Sequence, residues 1–246
     1  MKLSVVIPAR NEPYLHQTVK DISLKVGDET EVLWMEDPGI GQRATTNILV
    51  EKSTGEYVMK VDAHCMFDEG FDRKMLADID EKTILSPRLL ALDAEAWKPR
   101  LDCPPSSQYV FDTNLVMQYD RGRENLDPIV ETMCLQGSAW MVSRRNYIQW
   151  GLGDENMPSW GGQGPELGIK AFLNGGVCKT TNKTWYAHLF RQSDADFPYD
   201  RGERPGQKAN EELLRRYKNK SIAPLIERFN YPADWTKEIV DNLRVV

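Results

Sequence analysis

Along the first 61 residues, short apolar runs alternate with stretches in which apolar residues recur every three or four positions. The run LSVVI (3–7), closed by Pro8, reads as a strand. In NEPYLHQTVKDISLK (11–25), Leu15, Val19 and Ile22 fall on one helical face. EVLWM (31–35), GQRATTNILVEKS (41–53, ended by Gly55) and YVMKV (57–61) repeat the alternation as strand, helix and strand. Two successive βα units imply a parallel sheet, and right-handed crossovers bring the strand C-termini to one edge. Ligands of such sheets gather at that edge. Each of the three strands ends there in polar residues: Arg10, Asn11 and Glu12; Glu36 and Asp37; Asp62 and His64. The outline is that of a nucleotide pocket.

The pattern is less regular from Leu85 to Val142. WKPRLDCPPSSQ (97–108) reads as a proline-rich loop, while YVFDTNLVMQY (109–119) and ETMCLQGSAWMV (131–142) are strand-like. A glycine-rich turn, GLGDENMPSWGGQGP (151–165), leads into a predicted helix, ELGIKAFLNGG (166–176). After KTWYAHLF (183–190) comes a long polar stretch, RQSDADFPYDRGERPGQ (191–207), and then a basic amphipathic helix, NEELLRRYKNK (210–220). So long a polar loop inside a compact unit points to a functional segment, with a surface loop as the alternative. No linker composition divides the chain, which reads as one α/β domain over residues 1–246.

Composition narrows the class. The 246 residues suffice for a substantial core without disulfide or metal staples. Lys and Arg total 31 against 37 Asp and Glu, so the net charge of -6 gives no global attraction for polyanions. The four cysteines (65, 103, 134 and 178) form no Cys-x-x-Cys pair and suit buried thiols in a reducing compartment. The opening MKLSVVIPARNE is too short an apolar run for a signal peptide or a membrane span, and nothing later approaches one. A soluble cytoplasmic protein is expected. The sequence leaves the oligomeric state open.

Candidate chemistry centres on Asp62-Ala63-His64. Residues i and i+2 of a strand project to the same side, so this carboxylate and imidazole can converge beyond the sheet edge. They leave a divalent ion mostly open, as a metal that also holds a diphosphate requires. The mixed oxygen and nitrogen set favours Mn2+, with Mg2+ as the alternative. The chain has three histidines: His16 in the first helix reads as a surface or packing residue, whereas His188, at the end of an apolar run, is a candidate third ligand. Two unrelated hydrogen-bonded histidines are the competing reading of His64 and His188. Gly161, Gly162 and Gly164 suit close backbone approach. Trp160 is either an aromatic platform for a ligand ring or a core residue.

Taken together, SVVIPARNE, RATTNILVEKSTGEYVMKVDAH and WGGQGPELGIKAF resemble, in order and spacing, glycosyltransferase family 2 and the catalytic domain of the polypeptide N-acetylgalactosaminyltransferases. The likeness runs from about residue 3 to residue 218. It implies a GT-A fold, Rossmann-like with a mixed, mostly parallel central sheet, that binds a UDP-sugar through Mn2+ held by Asp62, His64 and His188. In the same terms Pro8, Ala9, Arg10 and Glu12 match the loop that cradles uridine. Asp37 and Arg43 sit where this class contacts base and pyrophosphate; a turn role for Asp37 and a solvated charge for Arg43 are the simpler alternatives. Gln136, Gly137 and Ser138 match the segment beside the donor sugar, and Trp160, Gly162 and Gln163 the acceptor-side motif. Arg191 would add a charge to the phosphates. Residues 1–66 then form a nucleotide-binding half, 67–190 a donor-sugar and acceptor half, 191–208 a lid and 209–246 a C-terminal helical segment.

Inverting members of the family use an Asp as general base where this chain has Gly164, preceded by Gln163. Neither side chain accepts a proton at neutral pH. Either Glu166, Asp154 or Glu155 supplies the base, or the reaction retains configuration and the departing phosphate takes the proton. The acceptor is expected to be a glycan, lipid-linked sugar or protein hydroxyl. An alternative is DNA carrying hydroxymethylated bases, with Arg215, Arg216, Lys218 and Lys220 on its phosphates. A second alternative is a non-catalytic nucleotide-sugar or glycan binder.

Overall fold

The computed structural model describes residues 1–123 and 126–245. The chain opens with β1 (Leu3–Ala9), α1 (Leu15–Lys25), β2 (Thr30–Glu36), α2 (Gln42–Lys52) and β3 (Tyr57–Val61). The short β4 (Cys65–Phe67) and α3 (Phe71–Asp78) lead to β5 (Thr83–Asp93) and β6 (Lys98–Arg100). A hairpin of β7 (Tyr109–Phe111) and β8 (Met117–Tyr119) precedes β9 (Ile129–Thr132) and β10 (Ala139–Ser143). Then come α4 (Arg144–Gln149), α5 (Gln163–Leu173), β11 (Val177–His188), α6 (Pro205–Tyr217), α7 (Ala223–Arg228) and α8 (Lys237–Val245).

The main sheet has the order β2-β1-β3-β10-β5-β11-β4, with β6 on β5 and β9 on β11. β1 runs parallel to β2 and β3, and β11 parallel to β5. β10 is antiparallel to both β3 and β5, so the long strands on either side of it point the same way. The result is the expected mixed sheet, parallel but for β10 and the short edge pieces. Period-two alternation sorts side chains to two faces. Leu3, Val5 and Ile7 of β1, and Met59 and Val61 of β3, join one core with Ile22 of α1 and Met75 of α3. Val6, Val58, Trp140 and Val142 join the other, with Leu49 of α2 and Leu167 of α5.

Several elements depart from the pattern read in the sequence, among them β6, which lies in the stretch read as a proline-rich loop, and α5 and α6, which begin about a turn earlier than read. β1 runs through Pro8 to Ala9, because pairing with β3 ends at Val6 and only β2 continues beside it. YVFDTNLVMQY is not one strand but the β7–β8 hairpin, its turn held by Asp112 Oδ1, which accepts from Asn114 and Val116 N–H. ETMCLQGSAWMV divides into β9 and β10, which pair with different strands. The intervening 133–138 segment supports the start of α5: a Cβ at Gly164 would stand 2.0 Å from Leu135 O, and one at Gly168 2.2 Å from Met133 O. These glycines allow the helix to lie against bare backbone. Among the described residues no helix is long and apolar enough to cross a membrane.

Candidate active site

Asp62 follows β3 and His64 precedes β4. β4 pairs antiparallel with β11 in a register that sets His188 opposite Cys65, and Leu189 N–H donates to His64 O at 3.2 Å. Two histidines 124 residues apart thereby meet, Nε2 to Nε2 at 3.1 Å, while His188 Nε2 lies 3.4 Å from Asp62 Oδ2. One ligand atom from each of Asp62, His64 and His188 lies within 4.8 Å of the others. A carboxylate oxygen and two imidazole nitrogens converging on one point form a donor set that a divalent transition-metal ion fits.

Neighbouring groups hold these side chains. Lys60, 1% exposed, donates to Asp62 Oδ1 and to Gly137 O (2.9 Å), and Gln42 Nε2 donates to Asp62 Oδ1 at 3.2 Å. Burial raises the Asp62 carboxyl, but the Lys60 ammonium and the His188 hydrogen bond outweigh it and hold Asp62 well below the usual carboxylate range. His188 is pushed down to about 4, chiefly by burial and against the pull of Asp62. Its imidazole is therefore neutral at pH 7, the form a metal ligand requires. Glu12 Oε2 accepts from Arg191 Nη2 at 2.5 Å and lies 3.1 Å from His64 Nδ1. Burial raises the Glu12 carboxyl, yet His64 and Arg191 bring it below its ordinary value.

The ligand trio opens on a cavity of about 610 Å³. Its wall brings together most of the residues singled out in the sequence: Pro8, Ala9, Arg10 and Glu12; Asp37; Gln136, Gly137 and Ser138; Trp160, Gly162 and Gln163; and Arg191. Ser138 Oγ is hydrogen-bonded to Tyr186 OH at 2.8 Å. Asp37 has the simpler role as well: its carboxylate accepts from the N–H groups of Gly39, Ile40 and Gly41 and so shapes the turn before α2. Trp160 is half-buried and meets the 191–208 loop rather than the deep core. The Arg201 guanidinium lies 4.3 Å from its ring centroid and 3.8 Å from that of Phe197, and Arg10 stands over Tyr199 at 5.6 Å. Phe197, Tyr199, Asp200 and Arg201 thus form one side of the cavity.

Arg43, Glu166, Asp154 and Glu155 are not on that wall. Arg43 is buried and pairs with Glu166 at 2.7 Å, Glu166 pairs with Lys170 at 2.6 Å, and Asp154 pairs with Arg216 of α6 at 2.5 Å. Glu166 is 1% exposed behind the cavity. The solvated-charge reading of Arg43 is likewise replaced by a buried ion pair. Glu155 bonds Asn47 at 2.7 Å. In the basic helix, Arg215 and Arg216 are both paired with Glu212, which ties half of that charge run to the protein's own carboxylates. The sequence reading missed Lys60, Gln42, Tyr186 and the aromatic residues of the loop. Lys60 carried a signal, as the one charge within the apolar run YVMKV.

The solved structures that resemble the chain show its fold, which is the GT-A fold. A crystal structure of GalNAc-T7 with UDP, GalNAc and Mn2+ superposes with a TM-score of 0.71, at 18% identity over 94% of this chain and 53% of that one. Staphylococcus aureus TarS residues 1–349 in complex with UDP gives 0.53, at 15% identity over 99% and 69%. In sequence, the chain is similar to proteins that include polypeptide N-acetylgalactosaminyltransferases. Mouse polypeptide N-acetylgalactosaminyltransferase 3 is 24% identical over 212 residues, 80% of this chain and 33% of the relative. Its human counterpart is 26% identical over 160 residues, 59% and 25%. The chain thus spans a third or less of the length of these two relatives. No protein-family model matches it.

Proposed function

We propose that this chain is a metal-dependent glycosyltransferase that moves a sugar from a UDP-sugar to a glycan or protein hydroxyl with retention of configuration. The observation that carries the reading is the convergence of Asp62, His64 and His188 within 4.8 Å on the wall of a cavity shared with the Pro8–Glu12 loop and the glycine turn. These three side chains would hold Mn2+, which when bound supplies Lewis-acid stabilisation of charge on a departing diphosphate. Arg10 and Arg191 add positive charge beside it. Gln136, Gly137 and Ser138 face the donor sugar, with Ser138 fixed by Tyr186. Residues 191–208 act as a lid whose Phe197 and Tyr199, with Trp160, exclude water and limit hydrolysis. The whole described chain serves as one catalytic unit.

The distribution of carboxylates supports retention. Gly164 has no room for a side chain, and Glu166 and Asp154 are committed to ion pairs away from the cavity. Of the carboxylates on the wall, Asp37 caps its turn, Glu12 and Asp62 serve the metal centre, and Asp200 lies exposed on the lid. The acceptor proton then passes to the departing phosphate on the same face. UDP release from a panel of UDP-sugars is expected to require Mn2+ and to fall at least about a hundredfold in Asp62→Ala and His188→Ala. Turnover unchanged by a chelator sinks the metal reading. Asp200→Asn is expected to cost less than about tenfold, with the product anomer matching the donor by NMR. An inverted product together with a loss of about 10² to 10⁴ would make Asp200 the general base.

A further inference from the structure

Glu12 falls within the loop that cradles the nucleotide, but its contacts give it a different task. Its side chain is 3% exposed, and Oε2 is shared between Arg191 Nη2 and His64 Nδ1. An ionised carboxylate only accepts hydrogen bonds, so the 3.1 Å contact with Glu12 favours a neutral His64 protonated on Nδ1 over the longer 3.5 Å approach of Arg191 Nη1, which can only donate. That leaves a lone pair on Nε2, the nitrogen 3.1 Å from His188 Nε2 and facing the point where the ligand atoms meet. Asp62 is oriented in a comparable way, with Oδ1 held by Lys60 and Gln42 and Oδ2 turned toward His188. His188 lacks such support, since its Nδ1 is buried with no hydrogen-bond partner among the described residues.

We infer that Glu12 is a positioning residue for the metal centre, one that fixes the tautomer and ring orientation of His64. The assignment rests on the metal reading above and deepens it: the carboxylate of the nucleotide loop serves the cation instead of the base. Through Arg191 the same oxygen ties the first residue of the lid to the loop after β1 and to the turn that carries His64. Residues that orient ligating histidines typically affect metal affinity by about 10- to 100-fold.

The test measures Mn2+ binding without donor, by the electron paramagnetic resonance of free ion, alongside 15N spectra of histidine-labelled, metal-free protein. Wild type is expected to show His64 protonated at Nδ1. Glu12→Ala is expected to bind Mn2+ about 10- to 100-fold more weakly. Glu12→Gln keeps an acceptor oxygen for the ring and should lie nearer wild type than Glu12→Ala. The inference is overturned by equal Mn2+ affinity in wild type and Glu12→Ala, or by a wild-type His64 protonated at Nε2. Weaker UDP binding in chelator with unchanged Mn2+ affinity would return Glu12 to the nucleotide. Should Glu12→Ala not fold, the wild-type spectrum and Glu12→Gln still decide. Failure of wild type to take up Mn2+ at all would instead refute the underlying metal reading, and the tautomer measurement keeps the two failures apart.

Discussion

Glu166→Ala is expected to lower unfolding stability by about 3–5 kcal/mol, read as a shift of the urea midpoint at unchanged slope. The side chain is 1% exposed and lies between two buried cations, Arg43 at 2.7 Å and Lys170 at 2.6 Å. Removing the carboxylate leaves both charges in the interior with their principal counter-ion gone, which costs far more than the pair itself contributes. Glu166→Gln should lose much of the same stability, because an amide neutralises neither cation. The outcome bears on mechanism, since Glu166 was a candidate general base. A base would show the opposite pattern: intact stability and a fall in kcat of about 10² to 10⁴.

Gly164→Ala is the second large effect. The new Cβ would stand 2.0 Å from the carbonyl oxygen of Leu135, a backbone atom with no flexible end to swing away. Either α5 or the 133–138 segment must shift, and a loss of at least about 3 kcal/mol is expected, at the upper end of what overpacking costs. Gly122→Ala, with nothing within 4 Å of the added atom, serves as the control and should stay within about 0.5 kcal/mol. Gly164→Asp, which places a carboxylate where the family resemblance expects an inverting enzyme's base, should be destabilised at least as much and gain no base. A Gly164→Asp protein of wild-type stability and raised kcat would refute this account and reopen inversion.

The alternating strands and helices of the first 61 residues were legible because their signals are local. β3 coincides with YVMKV, and α2 falls within GQRATTNILVEKS. The β7–β8 hairpin and the break between β9 and β10 were not legible, because what divides them is partner choice across the sheet. The same distinction runs through the site. Asp62, His64 and His188 were found by residue type and by likeness, and register brings them together. Arg43 and Glu166 lie off the cavity wall, which the sequence did not signal: a charge at the start of a helix usually faces water, but here a third element, the loop carrying Pro158, covers Arg43 and accepts from its Nε at 3.3 Å, and Glu166 pairs with Arg43. Lys60 was overlooked because the apolar pattern around it reads equally well with or without it.

The route by which His188 reaches His64 has a consequence for any shortened form of the chain. β11 is bonded to β4, β5 and β9, and its last residue, His188, is the third member of the proposed ligand set. A truncation that removes β11 therefore takes away a proposed metal ligand and the pairing of three strands in one cut, so its failure to bind a cation would say nothing about the ligand alone. Conversely, a cation that binds only the closed arrangement acts as a clasp on that seam. At a hundred times its Kd it would add about 2.7 kcal/mol to stability, which makes the melting temperature a gauge of metal occupancy.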